Sequence, residues 1–121
     1  MNISSSSLGY NPVYGEAAPE IEHVRDRGGY AILEFGAPWC GHCKAAQSLV
    51  QEVVSEHAEL LHIKVYDGKG KPLGRAFRVK LWPTLILLKN GEEVARLVRP
   101  TSTHQVRELL VSVNNNFSLD S

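Results

Sequence analysis

Cys40 and Cys43 are the only cysteines in the 121-residue chain, and two residues separate them. Thiols that close together can cycle between dithiol and disulfide, act as soft metal ligands, or form a small structural disulfide. They lie in Trp39-Cys40-Gly41-His42-Cys43, directly after the apolar run Tyr30-Ala31-Ile32-Leu33-Glu34-Phe35, and they open a segment of helical periodicity. At a helix start, unpaired backbone N–H groups point toward the Cys40 sulfur, and their partial positive charge favours the thiolate. The thiolate is the nucleophile of disulfide exchange, and a free thiol near ~8.5 is mostly protonated at neutral pH. Cys43 falls one turn later, within reach of Cys40 but more buried. Cys40 is therefore expected to attack a substrate disulfide, and Cys43 to attack the resulting mixed disulfide and release reduced product. Gly41 is unhindered and leaves the N–H groups accessible, while His42 can add positive charge beside Cys40. Either effect stabilises the reduced form and makes the couple a better oxidant.

Metal binding is the weaker use of these groups. Structural zinc needs four ligands. His23, His57, His62 and His104 show no ligand-pair spacing with each other or with a second cysteine pair. No metal site is expected, and no cofactor beyond the Cys40–Cys43 pair itself. Glu34 also stands out, as an acid inside an apolar strand six residues before Cys40. A buried carboxyl has a raised pKa and can exchange a proton near neutrality.

The elements that must position these residues follow from periodicity. Residues 1–17 are rich in Ser, Gly, Asn and Tyr with no sustained period, and read as a tail onto which Tyr10 and Tyr14 add some packing. Pro19-Glu20-Ile21-Glu22 suits a helix start, stopped by Gly28-Gly29. Tyr30 to Phe35 reads as a central strand. From Cys43 to His57, Ala46, Leu49, Val50, Val53 and Val54 recur at helical spacing. Leu60 to Tyr66 is a second strand, 67–72 a loop, and Pro72 to Phe77 a short helix. Thr84 to Lys89 and Glu92 to Val98 form a hairpin about Asn90-Gly91. Ser102 with Gln105 makes a capping box that starts a last helix with Val106, Leu109, Leu110 and Val113 on one face. The first two strands, joined through a helix, should be parallel. The expectation is an α/β domain over 18–114, with a mixed four-stranded central sheet flanked by helices on both faces, and a C-terminal tail at 115–121.

Composition narrows the partners. Thirteen basic and thirteen acidic residues cancel, which removes the electrostatic argument for nucleic acid or an anionic membrane. No apolar run approaches the ~20 residues that span a bilayer. Two cysteines are too few for a secreted disulfide framework, and Met1 to Ser7 lacks the charged and apolar regions of a signal peptide. The expected setting is the cytoplasm, for a monomer with neither nucleic acid nor membrane as partner.

The run Leu33-Glu34-Phe35-Gly36-Ala37-Pro38-Trp39-Cys40-Gly41-His42-Cys43-Lys44, with Leu81-Trp82-Pro83-Thr84 some forty residues later, resembles the thioredoxin superfamily. The match continues through Leu85 to Glu92, and pattern and order agree from about 19 to 113. The resemblance implies a thioredoxin fold and thiol–disulfide oxidoreductase activity that reduces protein disulfides in cell redox homeostasis. Its partners would be disulfide-containing proteins and a thioredoxin-reductase-type electron donor. It implies a cis bond before Pro83, with Pro83 against the cysteine pair, and backbone pairing of substrate at Trp82. Trp39, Gly41, His42, Trp82, Pro83 and Thr84 are the substrate-binding candidates, the two tryptophans forming an apolar docking surface. The family's buried acid corresponds to Glu34, which would assist deprotonation of Cys43 directly or through water.

Three departures from the family pattern bear on function. Ser48 stands where a mid-helix proline is common. The lysine often paired with the buried acid has no clear match, although Lys64 lies nearby and strand register decides its face. Arg99-Pro100 occupies a region where the groove usually has glycine, so that a bulky cation would narrow the groove or select acidic partners. The Gly41-His42 dipeptide looks more like protein disulfide isomerases, whereas a single small domain looks more like a thioredoxin. Two alternatives to a reductant therefore stand: an oxidant or isomerase of protein disulfides, and a non-catalytic partner-binding module.

Overall fold

The computed structural model describes residues 6–11, 14–15, 26, 28–57, 60–68, 72–111 and 113. Five strands form one sheet. They are β1 (Ser6–Leu8), β2 (Tyr30–Gly36), β3 (Leu61–Tyr66), β4 (Thr84–Lys89) and β5 (Glu92–Val98), interleaved with helices α1 (Gly41–Val54), α2 (Pro72–Ala76) and α3 (Thr103–Leu109). The spatial order is β1-β3-β2-β4-β5. The β2–β3 pair is parallel, and the other neighbouring pairs are antiparallel.

The four expected strands make up the mixed centre of the sheet. The fifth corrects the reading of 1–17 as a tail, because Ser6–Leu8 pairs with Leu61–Ile63 along the outer edge of β3. A three-residue strand has too little period to stand out from sequence. The segment continues along that edge: Gly9 N–H donates to Leu60 O, Gly15 N–H to Lys64 O, and Tyr66 N–H to Gly15 O. Asp26 is helical; the rest of the expected helix from Pro19 lies outside the described residues, as does the C-terminal tail. Helix α1 begins at Gly41 and ends at Val54, shifted toward the cysteines from the expected span.

Alternation sorts the core onto the two sheet faces. Ile32, Leu85 and Leu87 pack against Val50, Val53 and Val54 of α1 and against Val106 and Leu109 of α3. Leu33, Phe35, Ile63, Val65, Ile86 and Leu88 meet Leu73 and Phe77 on the other face. Strand β2 is thus covered on both sides, as its unbroken apolar run requires. Asn90 and Gly91 take positive φ, 54° and 82°, which is what a two-residue hairpin turn needs. Ser102 caps α3 by accepting from Gln105 N–H at 3.3 Å, and Gln105 Oε1 reaches back to Thr101 N–H at 2.6 Å.

Candidate active site

Strand β2 runs into α1 through Ala37-Pro38-Trp39, so both cysteines lie at the strand's end. Cys40 is the N-cap of α1, and its sulfur accepts the Cys43 N–H at 3.2 Å. A cap position leaves the first helical N–H groups without intrahelical partners, so that donor is aimed at the Cys40 sulfur. Both thiols are free. They are 8% and 4% exposed, with Cys43 the deeper. Burial pushes the Cys43 thiol up to about 11, and its hydrogen bond with Cys40 adds to the rise.

The front of the site is aromatic. Trp39 is 62% exposed and meets Trp82 edge-on, with ring centroids 5.5 Å apart. Trp82 packs against the cysteine cluster. Its indole N–H donates to Asp67 Oδ2 at 2.9 Å, and that of Trp39 to the Tyr66 hydroxyl at 3.3 Å. The Trp82–Pro83 peptide is cis, as expected. Gly41 and His42 are exposed on the first turn of α1, and nothing crowds the position a Gly41 Cβ would take. Thr84 departs from its expected substrate-facing role: it is buried, and its hydroxyl donates to Leu81 O at 2.6 Å. It braces the loop. Arg99 does not reach outward either, since its Nε donates to Trp82 O at 2.8 Å and its N–H to Pro83 O at 3.0 Å.

Behind the cysteines lies a polar cluster. In the parallel pair, Glu34 stands opposite Lys64 and Ile32 opposite His62, so register places the acid, the lysine and the histidine on one face, the α1 side. Glu34 Oε1 lies 2.8 Å from His62 Nε2, and Oε2 accepts the Tyr14 hydroxyl at 3.1 Å. Asn11 N–H donates to His62 Nδ1 at 2.9 Å. Nδ1 is therefore the acceptor, Nε2 carries the proton, and the imidazole is neutral. Lys64 Nζ lies 4.1 Å from the Tyr14 ring centroid.

This cluster corrects the expectation of a raised Glu34 pKa. Burial pushes the carboxyl up, but the His62 bond, the Lys64 charge and the Tyr14 bond outweigh it and hold the pKa below the ordinary carboxylate range. Glu34 is a carboxylate accepting from two donors. The Tyr14 hydroxyl, hydrogen-bonded to Glu34, also lies beside the Cys43 sulfur. Gly36 makes that meeting possible: a Cβ there would lie 2.6 Å from both Cys43 Sγ and the Tyr14 oxygen.

Asn11, Tyr14, His62 and Asp67 have no place in the motif-based reading. The available signal for His62 was alternation, since His62 and Lys64 flank Ile63 within an apolar strand and so share a face. Among the described residues, no group of three or more His, Cys, Asp or Glu could hold a metal ion, and no helix is long and apolar enough to cross a membrane.

With this geometry in view, known proteins are informative. Thioredoxin-1 of Caenorhabditis elegans is 38% identical over 66 residues, 54% of this chain and 57% of that protein. The chain spans about half the length of the curated relatives it matches, 49% in the case of Thioredoxin H2-1 of rice. In fold, the structure of thioredoxin 2 from Pseudomonas aeruginosa in its reduced form is similar with a TM-score of 0.76 and 47% identity, covering 85% of this chain and 95% of that one. A thioredoxin of Halobacterium salinarum shares the fold at a TM-score of 0.67 and 24% identity, covering 83% of this chain and 88% of that one. The Thioredoxin family model matches residues 18–112, and with the Cys40–Cys43 pair capping a helix beside a cis proline loop, the chain belongs to the thioredoxin family.

Proposed function

We infer that the chain is a thiol–disulfide oxidoreductase that reduces protein disulfides through the Cys40–Cys43 pair. The observation that carries this is the Cys40 sulfur at the helix cap, accepting the Cys43 N–H with the resolving thiol one turn behind. That N–H stabilises the negative charge on the Cys40 thiolate that makes the attack. The first exchange joins Cys40 to one substrate sulfur and expels the other as a thiolate. Cys43 then attacks Cys40, the internal disulfide forms, and the second substrate thiolate leaves. Trp39 and Trp82 offer the apolar surface on which a substrate chain settles, with Gly41 and His42 on its rim. Arg99 holds Trp82 O, so substrate backbone competes with a guanidinium for that acceptor.

The working partners in this reading are disulfide-containing proteins and a thioredoxin-reductase-type donor. The setting is cell redox homeostasis in the cytoplasm, with the chain acting as a monomer. The test is turnover of insulin disulfides with dithiothreitol, expected to vanish in Cys40→Ser; equal turnover in that variant overturns the assignment. The equilibrium potential decides direction. A value near ~−270 mV supports a reductant, and one near ~−180 mV supports an oxidant or isomerase.

A further inference from the structure

The resolving step poses a proton problem. Cys43 is the deeper thiol, held up at about 11 by burial, and it must lose its proton to attack Cys40. Glu34 is the nearby carboxylate, with one oxygen bonded to His62 and the other to the Tyr14 hydroxyl. The Tyr14 hydroxyl donates to Glu34 Oε2 at 3.1 Å, and it and Cys43 Sγ each lie 2.6 Å from where a Gly36 Cβ would stand. It reaches there because Gly36 has no side chain. Its backbone is held in place as well, since the neighbouring Gly15 pairs with Lys64 O through its N–H and with Tyr66 N–H through its carbonyl, both at 3.1 Å. Tyr14 lies outside the 18–112 span of the family match.

We propose that Tyr14 is a catalytic proton relay, passing the Cys43 thiol proton to Glu34 as Cys43 attacks the mixed disulfide. The inference rests on the oxidoreductase reading above. In the step, the Cys43 S–H proton moves to the Tyr14 oxygen while the Tyr14 proton moves to Glu34 Oε2. The freed electron pair on Cys43 forms the Cys43–Cys40 bond, the Cys40–substrate S–S bond breaks, and the substrate leaves as a thiolate that is protonated from solvent. The dithiol is oxidised by two electrons and the substrate disulfide is reduced by two. Glu34, held below the ordinary carboxylate range, passes that proton on to solvent, and Cys43 is reprotonated along the same path when the pair is reduced again. His62 and Asn11 position Glu34, and the nearby Lys64 cation favours the ionised acceptor. The competing carrier is water, for which a cavity of ≈ 590 Å³ lined by Tyr14, Cys43, Lys44 and Lys64 offers space.

Stopped-flow single turnover with 5,5′-dithiobis(2-nitrobenzoate) separates the steps, because each exchange releases one chromophore. The first, bimolecular phase reports attack by Cys40; the second, unimolecular phase reports resolution by Cys43. Tyr14→Phe is expected to leave the first phase unchanged. It should slow the second at neutral pH by roughly a hundredfold, the low end of the range of general acid–base catalysis, and move its pH midpoint upward. Glu34→Gln should do the same, and the double variant should be no slower than either single one. A second phase in Tyr14→Phe with the wild-type rate and pH midpoint overturns the relay and assigns the proton to water. A measurement on the wild-type protein guards against misfolding of the variants. Its second phase should show a solvent isotope effect with a curved dependence on deuterium fraction, as two moving protons require; absence of any isotope effect overturns the relay. Absence of the first phase in the wild-type protein would instead defeat the oxidoreductase reading.

Discussion

In front of the cysteine pair, Trp39 is largely exposed and leans edge-on against Trp82. Behind it, Glu34 and His62 are 3% and 0% exposed and joined by a 2.8 Å bond. The front draws on two loops, after β2 and before β4, and faces solvent. The back draws on three segments that register brings together: β2, β3 and the N-terminal strand with its extension. The contrast is one of tolerance. An exposed aromatic surface can lose a member and keep the fold, because water replaces what is lost. A buried polar cluster cannot, because each missing partner leaves a donor or acceptor unsatisfied.

The largest effect should come from Glu34→Ala, which leaves His62 Nε2 and the Tyr14 hydroxyl without their acceptor. Each buried donor left unsatisfied costs about 1–3 kcal/mol, read as a fall in the urea midpoint. A loss below about 1 kcal/mol would mean that the cluster is not rigid and the contrast fails. Gly36→Ala comes next. The new methyl meets both Cys43 Sγ and the Tyr14 oxygen at 2.6 Å, and overpacking costs about 1–3 kcal/mol. Its signature should be a slower resolving phase, with attack by Cys40 little changed.

Acid and alkali test the back of the site without mutation. Glu34 has a folded pKa below its ordinary 4.5, so its contribution is complete above that value and is lost as pH falls through the folded pKa. The urea midpoint of Glu34→Gln should be flatter than wild type across that acid range. Cys43 runs the opposite way, from 9.0 up to about 11. Stability from keeping it neutral is present below 9.0 and is lost as pH rises from there through about 11, a loss that Cys43→Ser should remove. The smallest effect on stability belongs to Trp39→Ala. It removes an edge-on aromatic contact worth about 0.5–1.5 kcal/mol, and should raise KM for protein disulfides while leaving the pH profile of the resolving phase in place. A shift in that profile would show that the two regions are not separable.

Much of the front could be read in advance. Trp39-Cys40-Gly41-His42-Cys43 and Trp82-Pro83 are contiguous runs, and a helix cap or a turn is a local structure set by neighbours in the chain. Thr84 and Arg99 are less legible from residue type. Both stand where a motif suggests substrate contact, yet their donors were taken by the Leu81 and Trp82 carbonyls. Competition for a backbone acceptor depends on loop geometry, and residue type does not reveal it.

The back of the site shows where local reasoning stops. Residue pattern alone established the four central strands, the helix behind the cysteines, the hairpin at Asn90-Gly91 and the capping box at Ser102, because each rests on a period or a turn within a few residues. It also marked Glu34 as an acid out of place in an apolar strand. Folding of the whole chain was needed to give that acid its partners. The pairing of Glu34 with Lys64 in register, the neutral His62 held by Asn11 across 51 positions, and Tyr14 seated in the space left by Gly36 are contacts between distant segments. Their physical consequence reverses the local expectation, since burial alone raises a carboxyl and two hydrogen bonds with a nearby cation lower it again.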